Sequence, residues 1–335
     1  METAREVLVA LAERYAFGDV AALASAGLIA PDTAPEVAAL CAFGQRVLDL
    51  DAEDFGMPEP AGDVPRDLLK RARACRMPQT PREQPRGALE TLRPAYALLL
   101  EVIAIRWRRH EMAALVAAVH IASEYLPLLA WQPVLGHAAD PARLAGAVAG
   151  PRSRFGVPFE LGTPRSCDHT RPEQSAADRA LRVAGEPAEG WRSYLDRQHS
   201  HVAGALGVCA AGCRTPCSVV TRLDDGVRDD LAARCRLAEE FAGGALVRLR
   251  HAAPVGHGFG VPSAEEVQQA WARTRSSLRH QELGRKALAG ADDDPYPLPG
   301  LPALFTRVAA VAIVPDRLLA EVARRVAVLV GREAG

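Results

Sequence analysis

The 335-residue sequence is short of several things, and each shortage narrows what the chain can be. Aromatic residues make up only 5% of it, so its core must be built mainly from Ala, Leu and Val. Ala and Leu lose little side-chain freedom in a helix and favour that state. Net charge is almost nil, at -1, which removes the bulk field that would draw the chain to nucleic acid or to an anionic membrane. Lysine is scarce: Lys70 and Lys286 are the two lysines among 40 basic residues. The skew toward arginine reads as the codon bias of a GC-rich genome, and it leaves few positions for a catalytic lysine.

Long apolar runs are missing too. The longest, from Met112 to Ala122, is interrupted by His120 and is too short to span a bilayer, so no membrane association is expected. The opening residues METAREVLVALAERY carry acidic groups and lack a basic-then-apolar signal pattern, which points to a cytoplasmic location. No repeat of 20–50 residues and no regular strand–helix alternation occurs. Several chemical signatures are absent as well: a GxSxG elbow, a P-loop, the zincin HExxH (position 114 of HEMAALVAAVH is alanine) and the ExxH of di-iron bundles.

What is present is helical periodicity. Hydrophobic residues reach 49% and charged residues 24%, the balance of a globular protein and not of a disordered one. Thr3/Glu6, Thr33/Glu36 and Ser263/Glu266 each read as a capping box ahead of an apolar-periodic run. Pro94 opens a helical stretch through Leu98, Val102, Ile105 and Met112 to about Leu126, apolar on nearly every face in its second half. Such a helix belongs at the centre of a bundle. Pro127 and Pro133 are expected to end or kink it. These signals predict an all-α, multi-helix bundle of about ten to twelve helices with a long buried central helix and Pro-rich loops. It is expected to be one helical domain over 1–335, with an N-terminal subregion at 1–85 and a Pro-rich linker around 51–85.

The strongest chemical signal is CAAGCRTPC, which holds Cys209, Cys213 and Cys217 with two gaps of three residues. At the end of a helix, Cys209 and Cys213 would share a face with Cβ atoms about 5–6 Å apart. Pro216 disfavours helix at Thr215, which places Cys217 on the following turn. Three sulfurs can then converge on one zinc ion or one iron–sulfur cluster, with a fourth donor from Cys167 or His169 in SCDHTRP, or else from Cys235. Seven cysteines, an odd number, argue against a disulfide framework in a chain of this size. The competing reading is that small buried cysteines fill an Ala-rich helix interface.

Histidines supply weaker candidates. His120, in the most apolar stretch, has Glu124 one helical turn later, a spacing that orients an imidazole for proton transfer. His199 or His201 could serve as an axial haem ligand, although rings two residues apart on a helix point in different directions. His257 lies in a glycine-rich loop before a helix N-terminus, where backbone N–H groups can hold a phosphate or carboxylate. Acidic runs at Asp224–Asp230 and Asp292–Asp294 fit helix starts, and fit magnesium–diphosphate chemistry less well. The expected function is a cytosolic metalloprotein, an oxidoreductase with an iron–sulfur or zinc centre. The alternatives are a metal-free helical interaction or regulatory protein and a haem-dependent oxygenase. Neither the small-molecule substrate nor a protein partner is specified by these residues.

Overall fold

The structure, a computed structural model, describes residues 2–51, 64–76, 91–136, 223–252 and 260–331. The fold is all-α, and no strand occurs among the described residues. The chain divides into two compact units. The first takes Met1–Met77, Arg93–Glu111 and Val314–Gly335, and the second takes Pro78–Leu92 and Met112–Ile313. The first unit draws on three separate stretches of the chain, the last helix among them.

That unit contains α1 (Glu2–Glu13), α2 (Phe17–Leu23) with a π-turn at Ala24–Leu28, α3 (Ala34–Leu48), α4 (Arg66–Ala74), α5 (Arg93–Arg108) and, in chain order the last, α12 (Leu318–Gly331). The α12 sequence LLAEVARRVAVLVG buries Leu318, Leu319, Val322, Ala323, Val326, Leu329 and Val330, a stripe at helical spacing. It packs against α1, α3 and α4. Helix α3 lies so close to α2 that a Cβ built on Gly44 would come within 2.9 Å of the Phe17 ring. Glycine is required there by contact.

Two of the three expected capping boxes do not form. Thr3 lies inside α1, which starts at Glu2, and Thr33 has helical dihedrals with no side-chain capping bond. Three helices instead end on bulky residues in the left-handed region: Tyr15 (φ 59), Leu50 (φ 59) and His110 (φ 56). Each end makes the same pair of backbone bonds. Tyr15 N–H donates to Ala12 and Ala16 N–H to Leu11, both at 2.9 Å; Leu50 and Asp51 bond to Val47 and Arg46; His110 and Glu111 bond to Trp107 and Arg106. This is the Schellman ending, which normally uses glycine at the left-handed position.

Arginines compensate for the unusual residues. Arg106 Nη2 donates to the Leu48 carbonyl at 3.0 Å and to Asp49 at 2.6 Å, at the C-terminal end of α3. Arg109 donates to the Tyr15 carbonyl past the end of α1, and the Arg108 guanidinium lies 5.1 Å from the centre of the Tyr15 ring. Glu111 accepts from Arg106 and, at 2.6 Å, from Arg109. Cations thus sit at the negative ends of two helices, where the dipole favours them. The break at His110 also splits the helix expected from Pro94 to Leu126 into α5 and α6.

The second unit is organised around α6 (Met112–Leu135), with α7 (Asp225–Ala242), α8 (Ala245–Arg248) and a 3-10 turn at Leu249–Ala252. Beyond them come α9 (Ala264–Leu278), α10 (Glu282–Ala287) and α11 (Leu301–Ala309). Helix α6 packs against α7, α8 and α11. It continues through Pro127 and Pro133 instead of ending at the first of them. As a result Met112–Val134 is long and apolar enough to cross a membrane by length and composition, with a mean hydropathy of 1.6 in its most apolar window. In this fold 61% of that window is buried.

The core of this unit joins Phe241 to Trp271 and Phe305 by edge-to-face ring contacts at 6.4 and 5.8 Å. Arg234, 3% exposed, donates to the Ala130 carbonyl of α6, to the Val308 carbonyl of α11 at 3.3 Å and to Asp230 at 2.7 Å. Gln132 fills its own needs by accepting from Leu92 N–H at 2.9 Å and donating to Thr91 at 2.8 Å. The Ser263/Glu266 capping box forms as expected, with bonds of 3.1 and 2.7 Å. The backbone N–H of Ser263 holds the Glu266 carboxyl below its ordinary value.

Candidate functional site

Two of the residues singled out in the sequence meet in the structure. His120 and Glu124 lie one turn apart on α6, with Nε2 2.9 Å from Glu124 Oε1. The imidazole is 19% exposed and the carboxylate 39%, so the pair stands at the margin of the core. Ser123 turns inward and donates to the His120 carbonyl at 2.7 Å. A third group arrives from the 3-10 turn after α8: Arg250 Nη1 contacts the same Nε2. His120 Nδ1 is enclosed and has no hydrogen-bond partner.

A carboxylate, an imidazole and a guanidinium therefore converge on one ring nitrogen. Chemically the group can hold, give up or accept a proton, because histidine changes charge near neutral pH. Polar side chains are costly in an apolar helix unless they are paired, so their presence on α6 calls for the partners found there. Arg250 carried no signal in the sequence, since it lies 130 residues from His120.

The metal candidates Cys209, Cys213, Cys217, Cys167 and His169, together with His199, His201 and His257, lie outside the described residues. Among the described residues no group of three or more His, Cys, Asp or Glu side chains could hold a metal ion. Cys235, the alternative fourth donor, is 0% exposed on α7, where burial pushes its thiol well above the ordinary value. In that environment the thiol form is favoured. Cys41 and Cys75 are likewise buried, their thiols raised by desolvation to about 12.

The acidic runs are explained by structure. Asp225 pairs with Arg228 and Asp230 with Arg234. Asp292 pairs with Arg275 at 2.8 Å, while Asp294 accepts the backbone N–H groups of Tyr296 and Gly300 at 3.0 and 2.8 Å. One buried acid was overlooked: Glu101 of α5, 5% exposed, accepts the N–H groups of Leu319 and Ala320 at 3.2 and 2.9 Å. Its signal was a lone carboxylate inside the apolar run LLLEVIAI.

A shallow groove of about 400 Å³ runs between the end of α1 and α12, floored by Ala320, Ala323 and Ala327, with Glu13 and Arg324 at its edges. No protein-family model, curated protein or solved structure matches this chain.

Proposed function

We propose that this chain is a helical metalloprotein in which Cys209, Cys213 and Cys217 bind an iron–sulfur cluster or zinc, with Cys167 or His169 as the fourth donor. In its iron–sulfur form it acts as an oxidoreductase. The observation that carries this reading is how the seven cysteines divide. Cys41, Cys75 and Cys235 are separate, buried and held protonated, which accounts for them as packing residues. The other four all fall between positions 167 and 217, three of them within nine residues. Thiols grouped so densely suit a soft metal better than they suit separate places in a core.

The test is anaerobic purification of the full chain followed by analysis for iron, zinc and acid-labile sulfide. Stoichiometric metal that Cys213→Ala removes, without loss of helicity, supports the proposal. Metal-free wild-type protein rejects it, and a Soret band would assign haem instead, with His199 or His201 as axial ligand.

A second reading, a helical interaction protein, is favoured by the groove along α12. Its floor of small side chains lets a partner backbone approach closely, and a base and an acid at its edges can fix orientation. Colourless protein that binds a partner through this face, and loses it on Ala327→Arg, would support that reading over the first.

A further inference from the structure

The geometry points to a proton-controlled exchange of partners at His120 Nε2: the neutral imidazole is held by Arg250, and the charged imidazolium by Glu124. A ring nitrogen carries either a lone pair or a proton, never both. The Arg250 guanidinium has only donors, so it needs the lone pair; the Glu124 carboxylate has only acceptors, so it needs the proton. Both approach the same Nε2. The two hydrogen bonds therefore exclude each other, and the proton decides between them.

The rest of the ring does not interfere with that choice. Nδ1 is enclosed and without a partner, so its N–H is unpaired both in the neutral form that Arg250 holds and in the imidazolium, and it does not distinguish the two. Glu124, from α6 itself, and Arg250, from the turn packed against it, both contact the ring at Nε2. From α7, Arg234 reaches α6 at the Ala130 carbonyl and is engaged there and at the Val308 carbonyl.

The consequence reaches beyond the ring. Arg250 belongs to the Leu249–Ala252 turn, which packs on α6. When His120 is neutral, Arg250 ties that turn to the helix. When His120 gains a proton, two cations face each other, the tie is lost, and Glu124 takes the nitrogen. The turn is thus fastened at higher pH and released at lower pH. This device is independent of the thiol cluster.

The experiment is ring-nitrogen NMR of the full chain labelled with ¹⁵N-histidine and followed across pH, with His120 assigned by the signals missing from His120→Gln. On the alkaline side Nε2 is expected to give the resonance of a bare nitrogen and Nδ1 that of a protonated one. On acidification both become protonated, and the protection of the Leu249 and Arg250 amides, with their exchange corrected for its intrinsic pH dependence, falls severalfold. Should His120→Gln fail to fold, Arg250→Met supplies the assignment, because it alone is expected to convert His120 to the Nε2–H form at alkaline pH. A wild-type ring already protonated at Nε2 on the alkaline side overturns the inference, as does protonation of His120 with unchanged protection in the turn.

Discussion

At the scale of single residues, the unusual feature is a set of side chains that occupy positions suited to something else. His110 is exposed and left-handed, at φ 56, where glycine would sit without cost. A left-handed non-glycine residue costs about 1–2 kcal/mol, part of which glycine returns as greater freedom in the unfolded chain. His110→Gly is therefore expected to stabilise the protein by about 0.5–1 kcal/mol, measured as a higher denaturation midpoint with an unchanged slope. The buried thiols make a second prediction. A shift of Cys41 and Cys75 from 9.0 to about 12 lowers their thiolate fraction roughly a thousandfold. Titration with a disulfide reagent near pH 8 should leave Cys41, Cys75 and Cys235 unmodified in native protein and expose them only in denaturant.

At the scale of elements, the ends of helices are where the structure departs from simple patterns, and Glu101 shows why. It caps the start of α12 from another helix, with both oxygens on backbone N–H groups. Burial raises its pKa to about 7 from 4.5, outweighing the lowering by those two N–H groups and by Arg71. The folded state thus holds a proton that the unfolded chain releases above about pH 4.5. The stability Glu101 contributes through this proton is complete below that value and is lost as pH rises to about 7, a change on the order of 3 kcal/mol. Glu321, Glu266 and Glu282 are shifted the other way, so their contributions fade only as pH falls below the ordinary carboxylate range. Unfolding free energy measured from pH 5 to 7 should fall more in the wild type than in Glu101→Gln, the difference being the Glu101 contribution.

Helix identity was legible in the sequence, but helix ends were not. The Ser263/Glu266 box formed because its side chains and backbone lie within four residues of one another. The break at Tyr15 left no trace, since Arg108 and Arg109, more than 90 residues away, reach it. Similarly, α6 runs on past Pro127 and Pro133 with neighbours on several sides, whereas local rules end a helix at proline.

At the scale of the whole molecule, the two units are each held by buried polar anchors as well as apolar packing. Arg234 is the anchor of the second, joining α7 to carbonyls of α6 and α11. Its removal would take a charged donor from each of those carbonyls, at about 1–3 kcal/mol each. Arg234→Met is expected to destabilise the protein by about 2–4 kcal/mol in chemical unfolding. Asp230→Ala should cost under about 1 kcal/mol, because that carboxylate is 55% exposed and water replaces its partner.

By itself the sequence determined the helical class, the apolar character of α6, and the pairing of His120 with Glu124, because all three depend on spacing along one helix. Only the tertiary structure decided that the last helix packs on α1, α3 and α4, that Glu101 caps α12, and that Arg250 reaches His120. The physical reason is distance along the chain: helical periodicity acts over a few residues, while these contacts join residues far apart in sequence. Their energy comes from desolvation and from hydrogen bonds that exist only once the core has closed around them.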